Sequence, residues 1–203
     1  MGIILDGLAG EINPQQKEIL ENGKRSIERL MRLVTNLLDI SKIEAGRMEM
    51  KREKIDIASL VNNVLENYGS EVSKKQLILL KDISKSPDYL WGDKDNLEQV
   101  IVNLLSNAIK YTPIGGYITV KISGSGNEMR FEISDTGSGI AKEDINKLFD
   151  KFERLTVEKQ EGTGLGLSIV KDIIGFHKGK IWVESEIGKG SKFIFILPRD
   201  FRK

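Results

Sequence analysis

Apolar residues recur through the first part of the chain at Ile19, Ile27, Leu30, Leu33, Val34, Leu37, Leu38, Ile40 and Ile43, positions that at about 100° per residue fall mostly on one side of a helix. This is the signature of an amphipathic helix whose stripe is broad enough for a bundle rather than a thin two-stranded seam. Asn13-Pro14-Gln15-Gln16 predicts its start, with Asn13 as N-cap, proline where its missing N–H costs nothing and glutamine at the third position. Gly46 predicts its stop. Between Pro14 and Ala45 only Gly23 is a weak point, and about 32 residues make a rod of about 48 Å. Such a helix needs partners. Met1 to Gly10 reads as the last turns of another helix ending near Asp6-Gly7, so residues 1–46 are expected to form an antiparallel helical hairpin lacking most of its first arm and completed by dimerisation into a bundle.

From Arg47 the pattern changes to alternating strands and helices. Strands are predicted near Met48 to Lys54, Leu77 to Ile83, Tyr117 to Ser123, Glu128 to Ser134, Lys180 to Glu184 and Lys192 to Leu197, with a hairpin turn at Gly124-Ser125-Gly126-Asn127. Helices are predicted near Ile57 to Lys74, Asp93 to Lys110, Lys142 to Leu148 and Leu165 to Phe176. Adjacent hairpins mixed with helices favour an α+β fold for residues 47–203, a two-layer sandwich in which helices cover one face of a mixed sheet.

Composition narrows the function classes. The 203 residues are 39% hydrophobic and 30% charged, which is ordinary for a globular chain, and the net charge of +1 gives no overall footprint for nucleic acid. The absence of cysteine excludes disulfides and thiolate metal sites and suits a cytoplasmic setting. No apolar run approaches a membrane span, although a longer parent anchored in a membrane is compatible with this.

Three signals carry candidate chemistry. On the helix from Asp93, Asn103, Asn107, Lys110 and Tyr111 fall on one face while Leu97, Ile101, Leu104, Leu105 and Ala108 fall on another. Amide oxygen suits a magnesium ion that keeps water and phosphate as its other ligands, and lysine suits phosphate; a solvated helix face is the competing reading. Asp135 continues the alternation of Met129, Phe131 and Ile133, so its carboxylate points to the apolar side, where lacking a donor costs on the order of several kcal/mol. The exocyclic amine of adenine is such a donor, and Gly137 and Gly139 let backbone turn tightly beside a base. An ordinary Asp-Thr-Gly-Ser-Gly turn is the alternative. Gly162-Thr163-Gly164-Leu165-Gly166-Leu167 opens an amphipathic helix whose N-terminal N–H groups can face phosphates. Neither G-x-G-x-x-G nor G-x-x-x-x-G-K-[ST] is present, and the charged run Glu153 to Glu161 before the loop suggests a lid or a plain surface connection.

His177 is the one histidine. With Lys178 and Gly179 it reads as the end of a helix rather than a catalytic group, because no carboxylate or nucleophile stands beside it.

These residues resemble the catalytic and ATP-binding domain of bacterial sensor histidine kinases, within the gyrase, Hsp90, histidine kinase and MutL superfamily. Asn103 to Tyr111 resembles the N box, Asp135 to Gly139 the G1 box, Phe149-Asp150-Lys151-Phe152 the F box, Gly162 to Leu167 the G2 box, and Gly188-Lys189-Gly190-Ser191 the closing glycine motif. Leu37 to Gly46 resembles the end of the second helix of the dimerisation and histidine phosphotransfer hairpin, which assigns residues 1–46 to that domain and 47–203 to the catalytic one.

The resemblance implies ATP and Mg as cofactors. It implies that Asp135 binds the adenine amine, Asn107 coordinates magnesium, and Asn103 and Lys110 serve magnesium and phosphates. Tyr111, Gly137, Gly139, Ile140 and Phe152 would frame the nucleotide, Arg154 would approach the terminal phosphate, and Gly162, Thr163, Gly164, Leu165, Gly166 and Leu167 would close over the phosphates. Asn103 stands where ATPase relatives carry a glutamate base, which argues for phosphoryl transfer over rapid hydrolysis. The acceptor histidine of the first hairpin helix has no counterpart here, so the chain is expected to donate the γ-phosphoryl group to a supplied histidine, for relay to a response regulator receiver domain, within a homodimer. An ATP-binding regulator without kinase activity and a slow ATPase are the alternatives.

Overall fold

The computed structural model describes residues 10, 12–47, 49–83, 89–151, 153 and 164–200. The expected end of a helix near Asp6-Gly7 lies outside them. The chain divides into two compact units, Met1–Met48 and Glu49–Lys203.

Among its described residues the first unit holds one helix, α1 (Pro14–Glu44). Its start is a reciprocal capping box: Gln16 N–H donates to Asn13 Oδ1 at 2.8 Å, and Asn13 N–H donates to Gln16 Oε1 at 2.9 Å. Its end is a Schellman turn, with Gly46 at φ +63°, Arg47 N–H on the Lys42 carbonyl and Gly46 N–H on that of Ile43. Most of the stripe is open to solvent, with Ile19 63% and Leu30 60% exposed, whereas Ile40 near the end of the helix is buried.

The second unit contains β1 (Glu53–Asp56), α2 (Ile57–Asn67), α3 (Gly69–Lys74), β2 (Ile78–Ile83), β3 (Tyr89–Gly92), α4 (Lys94–Tyr111), β4 (Tyr117–Ser125), β5 (Glu128–Asp135), α5 (Lys142–Ile145), α6 (Gly166–Phe176), β6 (Lys180–Glu186) and β7 (Gly190–Pro198). A mixed five-stranded sheet runs β2-β4-β5-β7-β6, with β2 parallel to β4 and the other neighbours antiparallel. The strands β1 and β3 form a separate antiparallel pair.

Several boundaries differ from the sequence expectation. The first strand is not Met48 to Lys54 but begins at Glu53, where Ile55 can bury itself opposite Leu90 of β3. The four-residue β3 was not expected at all. The helix expected over Ile57 to Lys74 breaks at Tyr68, whose ψ of 3° leaves helical geometry. The one expected at Lys142 to Leu148 ends as α5 at Ile145 and continues as turns.

Alternation explains the layering. Met129, Phe131 and Ile133 of β5 and Phe193, Phe195 and Leu197 of β7 are buried on one sheet face, with Phe131 and Phe195 stacked at 4.8 Å. Against them lie Leu97, Ile101, Leu104, Leu105 and Ala108 of α4 and Ile169, Val170, Ile173 and Ile174 of α6, all buried.

His177 ties the two helices together. Its Nδ1–H donates to the Ile173 carbonyl at 2.8 Å, and its Nε2 accepts the N–H of Asp93, the N-cap of α4, at 3.0 Å. Both ring nitrogens are used by the neutral imidazole. Burial therefore pushes the His177 pKa below its ordinary 6.5, outweighing the opposing Ile173 hydrogen bond and the Asp93 charge. The unfolded chain binds the proton more readily, so this stabilisation is complete above pH 6.5 and is lost as pH falls below it. Replacing His177 by Leu orphans the Asp93 N–H and should cost about 1–3 kcal/mol at pH 7.5. In urea titrations the gap between wild type and variant should narrow from pH 7.5 to 5.5; a constant or widening gap contradicts the neutral, buried role.

Candidate functional site

The three sequence signals meet along α4. Asn103 Nδ2 donates back to the Gln99 carbonyl at 3.0 Å, which fixes the amide with Oδ1 turned toward the start of α6. A Cβ placed on Gly166 would stand 2.9 Å from that oxygen, so a glycine there lets α6 begin against the amide. One turn later, half-buried Asn107 makes no side-chain hydrogen bond among the described residues. Lys110 Nζ donates to the Tyr111 hydroxyl at 3.0 Å and stands 4.6 Å from the ring centroid. Asn103, Asn107 and Lys110 are half-buried while the opposite side of α4 is core, so the helix packs with one face and offers polar groups on the other.

Asp135 ends β5 with its side chain in the phase of the buried residues. Its Oδ1 accepts the N–H of Gly137 at 2.8 Å and that of Ser191 at 3.3 Å. Among the described residues Oδ2 accepts nothing, and it is not sealed from solvent. Burial raises the pKa of this carboxyl above 3.8, opposed by the two backbone N–H bonds. One oxygen is thus committed to the protein and the other is available to a ligand donor.

The turn after Asp135 is held from two sides. A Cβ on Gly137 would come 2.6 Å from the Tyr111 carbonyl, so this turn approaches the end of α4 as closely as only glycine permits. Gly139 has φ +71° and would meet the Glu186 carbonyl. Ile140 N–H donates to Ser185 Oγ at 2.8 Å, and Gly188 N–H donates to the Ser138 carbonyl at 2.8 Å.

Ser185 and Ser191 were not among the expected site residues. The glycine motif before the last strand marked their neighbourhood, but only the antiparallel register that sets Ser191 opposite Asp135 gives them their task.

At the third signal, α6 begins at Gly166 with Leu165 buried in the N-cap position, and no side-chain oxygen caps it. No acidic residue stands in its first turn, so the positive end of the helix is not neutralised locally. Gly164 and Leu167 flank this start. Phe152, Arg154, Gly162 and Thr163, and the expected lid apart from Glu153, lie outside the described residues. The described residues contain no group of three or more His, Cys, Asp or Glu able to hold a metal ion, so a divalent ion here would take amide, phosphate and water oxygen, a set that suits magnesium. No helix among them is long and apolar enough to cross a membrane.

Residues 92–200 match the family described as histidine kinase-, DNA gyrase B- and HSP90-like ATPase. The adaptive-response sensory kinase SasA of Synechococcus elongatus is 35% identical over 182 residues, which are 89% of this chain and 47% of SasA. The sensor histidine kinase WalK of Bacillus subtilis is 36% identical over 177 residues, 84% of this chain and 29% of WalK. The chain spans about half the length of the first of these relatives and less of the second. Among solved structures, full-length ShkA in complex with AMPPNP superposes with a TM-score of 0.79 at 26% identity, over 96% of this chain and 41% of that one. With the α4 face, the Asp135 turn and the start of α6 assembled in one place, the chain belongs to the histidine kinase-, DNA gyrase B- and HSP90-like ATPase family, in its sensor histidine kinase branch.

Proposed function

We propose that this chain binds ATP with magnesium and donates the γ-phosphoryl group to a histidine supplied from outside its 203 residues, the step that precedes relay to a receiver aspartate of a response regulator. The observation that carries the reading is the divided carboxylate of Asp135, with one oxygen on backbone N–H groups and the other without a partner among the described residues. That arrangement suits a directed N–H donor such as the adenine amine, a single fixing polar group of the kind that orients a bound ligand.

Asn107, whose side chain has no hydrogen-bond partner among the described residues, is the amide for magnesium; Asn103 and Lys110 serve the phosphate side, and Tyr111 frames the nucleotide. The uncapped start of α6 at Gly164 to Leu167 offers N–H groups to phosphate oxygen. Phe152, Arg154, Gly162 and Thr163 join this set by resemblance. Bound magnesium would supply neutralisation of phosphate charge.

Asn103 cannot take a proton from water, which favours transfer over hydrolysis. His177 is fully buried with both ring nitrogens engaged, so it is no acceptor. The exposed stripe of α1 is the surface through which two copies would pair, and the reading places the reaction in the cytoplasm, where ATP is.

Asp135→Asn keeps the acceptor for Gly137 and Ser191 but removes the charge. Calorimetry should find ADP binding weaker by about 1–3 kcal/mol, the range for a charged hydrogen bond; equal affinity removes the adenine assignment. Because the folded pKa is raised, ionisation of Asp135 at neutral pH opposes folding. The ligand-free variant should therefore melt at neutral pH no lower than wild type, whereas a lower melting temperature would mean that the charge stabilises the fold.

Incubated with γ-labelled ATP and magnesium, the 203-residue chain should acquire no acid-labile label on itself. Label should appear on an added histidine-bearing helical hairpin of a sensor kinase. Self-labelling, or steady phosphate release with no label on the hairpin, would sink the donor reading.

A further inference from the structure

The C-terminus of α4 presents a backbone problem that its own sequence cannot solve. The last carbonyls of a helix need donors from the residues that follow. Ala108 is provided for: its carbonyl accepts both the N–H of Thr112 at 3.1 Å and the Thr112 hydroxyl at 2.6 Å. For Ile109 the next backbone donor in helical register would be residue 113, and that is proline, which has no N–H. Thr112 is already extended, with ψ 130°, so the chain has left the helix and no glycine turn closes it.

The missing donor comes from another part of the fold. Lys75 Nζ donates to the Ile109 carbonyl at 2.6 Å and to the Lys110 carbonyl at 2.8 Å. A cation at this end of the helix also complements its dipole. Lys75 is itself held in place. It is the C-cap of α3, and the next residue, Gln76, is in the left-handed region at φ +54° although it is not glycine. Gln76 N–H on Ser73 and Leu77 N–H on Val72 close that turn, and Ile78 N–H then bonds the Gly116 carbonyl in the loop after α4. A strained residue is retained where the surroundings over-determine it, and here the turn aims an ammonium at two carbonyls.

We propose that Lys75 is a positioning residue of the nucleotide site: its ammonium is the cap of α4 and holds the turn that presents Asn107, Lys110 and Tyr111. What the turn presents them to rests on the ATP reading above; the cap itself does not. Half-burial of Lys75 lowers its pKa from 10.5 through desolvation, in keeping with an ammonium directed at backbone rather than at water.

The test uses the full 203-residue chain. Lys75→Met keeps the stem and removes the donors, Lys75→Arg keeps donors and charge, and Asp56→Ala removes the N-cap of α2, whose Oδ1 accepts Ala58 and Ser59 N–H, as a destabilising control away from the site. By calorimetry, Lys75→Met should bind Mg-ADP about fivefold to tenfold more weakly, the scale of a partly lost charge-assisted hydrogen bond. Its amides at Ile109 to Thr112 should exchange faster. Lys75→Arg should restore both, and Asp56→Ala should lower the melting temperature without moving Mg-ADP affinity. Wild-type affinity and exchange in Lys75→Met, or an equal loss of affinity in Asp56→Ala, would overturn the proposal. Should Lys75→Met not fold, Lys75→Gln, whose neutral amide sits on a shorter stem and lacks the charge, carries the same comparison. If the wild-type chain binds no Mg-ADP, the ATP reading falls and the exchange measurement alone decides the cap.

Discussion

A carboxylate has to be held at the apolar face of a sheet without being neutralised by a partner charge, and the site depends on how that is done. Left alone, Asp135 would cost the fold several kcal/mol on the order of an unpaired buried charge. Two backbone N–H groups reduce that cost, one from its own turn at Gly137 and one from Ser191 on the neighbouring strand. Backbone donors are fixed in direction and cannot titrate. They occupy one oxygen and leave the other for a ligand, which a lysine or arginine partner at the same place would not do.

The same requirement shapes what surrounds Asp135. Ser191 faces it only because β5 and β7 pair antiparallel in one register, so a slip of a single residue would remove the donor and turn the carboxylate to the other face. The turn that supplies the Gly137 N–H must pass the Tyr111 carbonyl, and a side chain at that position would collide with it. Ser185 and Gly188 then tether the rest of the turn to the β6–β7 connection. The geometry of the candidate site is therefore carried by sheet register more than by loop conformation.

The helix α4 is the other fixed element, and each end is anchored through a distant residue. At its start, Asp93 accepts the N–H groups of Asn96 and Lys51 while giving its own N–H to His177. At its end, the carbonyls that Pro113 cannot serve are met by Lys75. A helix carrying polar groups on one face gains stability only from the other face and from its ends, so these anchors bear directly on how well Asn103, Asn107 and Lys110 hold their positions.

Much of this was legible from residues close together in the chain. The capping box at Asn13 and Gln16, the glycine stop of α1, the alternation through Met129, Phe131, Ile133 and Asp135, and the two faces of α4 all follow from local spacing and stereochemistry. Short elements were not legible: β3 has four residues and exists because Leu90 and Ile55 bury each other across the pair with β1. The N-box, G1 and G2 motifs identified which residues would gather but not what would hold them. The hydrogen-bond partners that hold the site lie far off in sequence, Ser191 at 56 residues from Asp135, His177 at 84 from Asp93 and Lys75 at 34 from Ile109. The sequence by itself therefore determined most of the helices, the strand faces and the residue types that line the candidate site, because those depend on near neighbours. Only the tertiary structure decided which backbone and side-chain groups satisfy Asp135 and the ends of α4, because hydrogen-bond partners are chosen by topology and register once the chain has closed on itself.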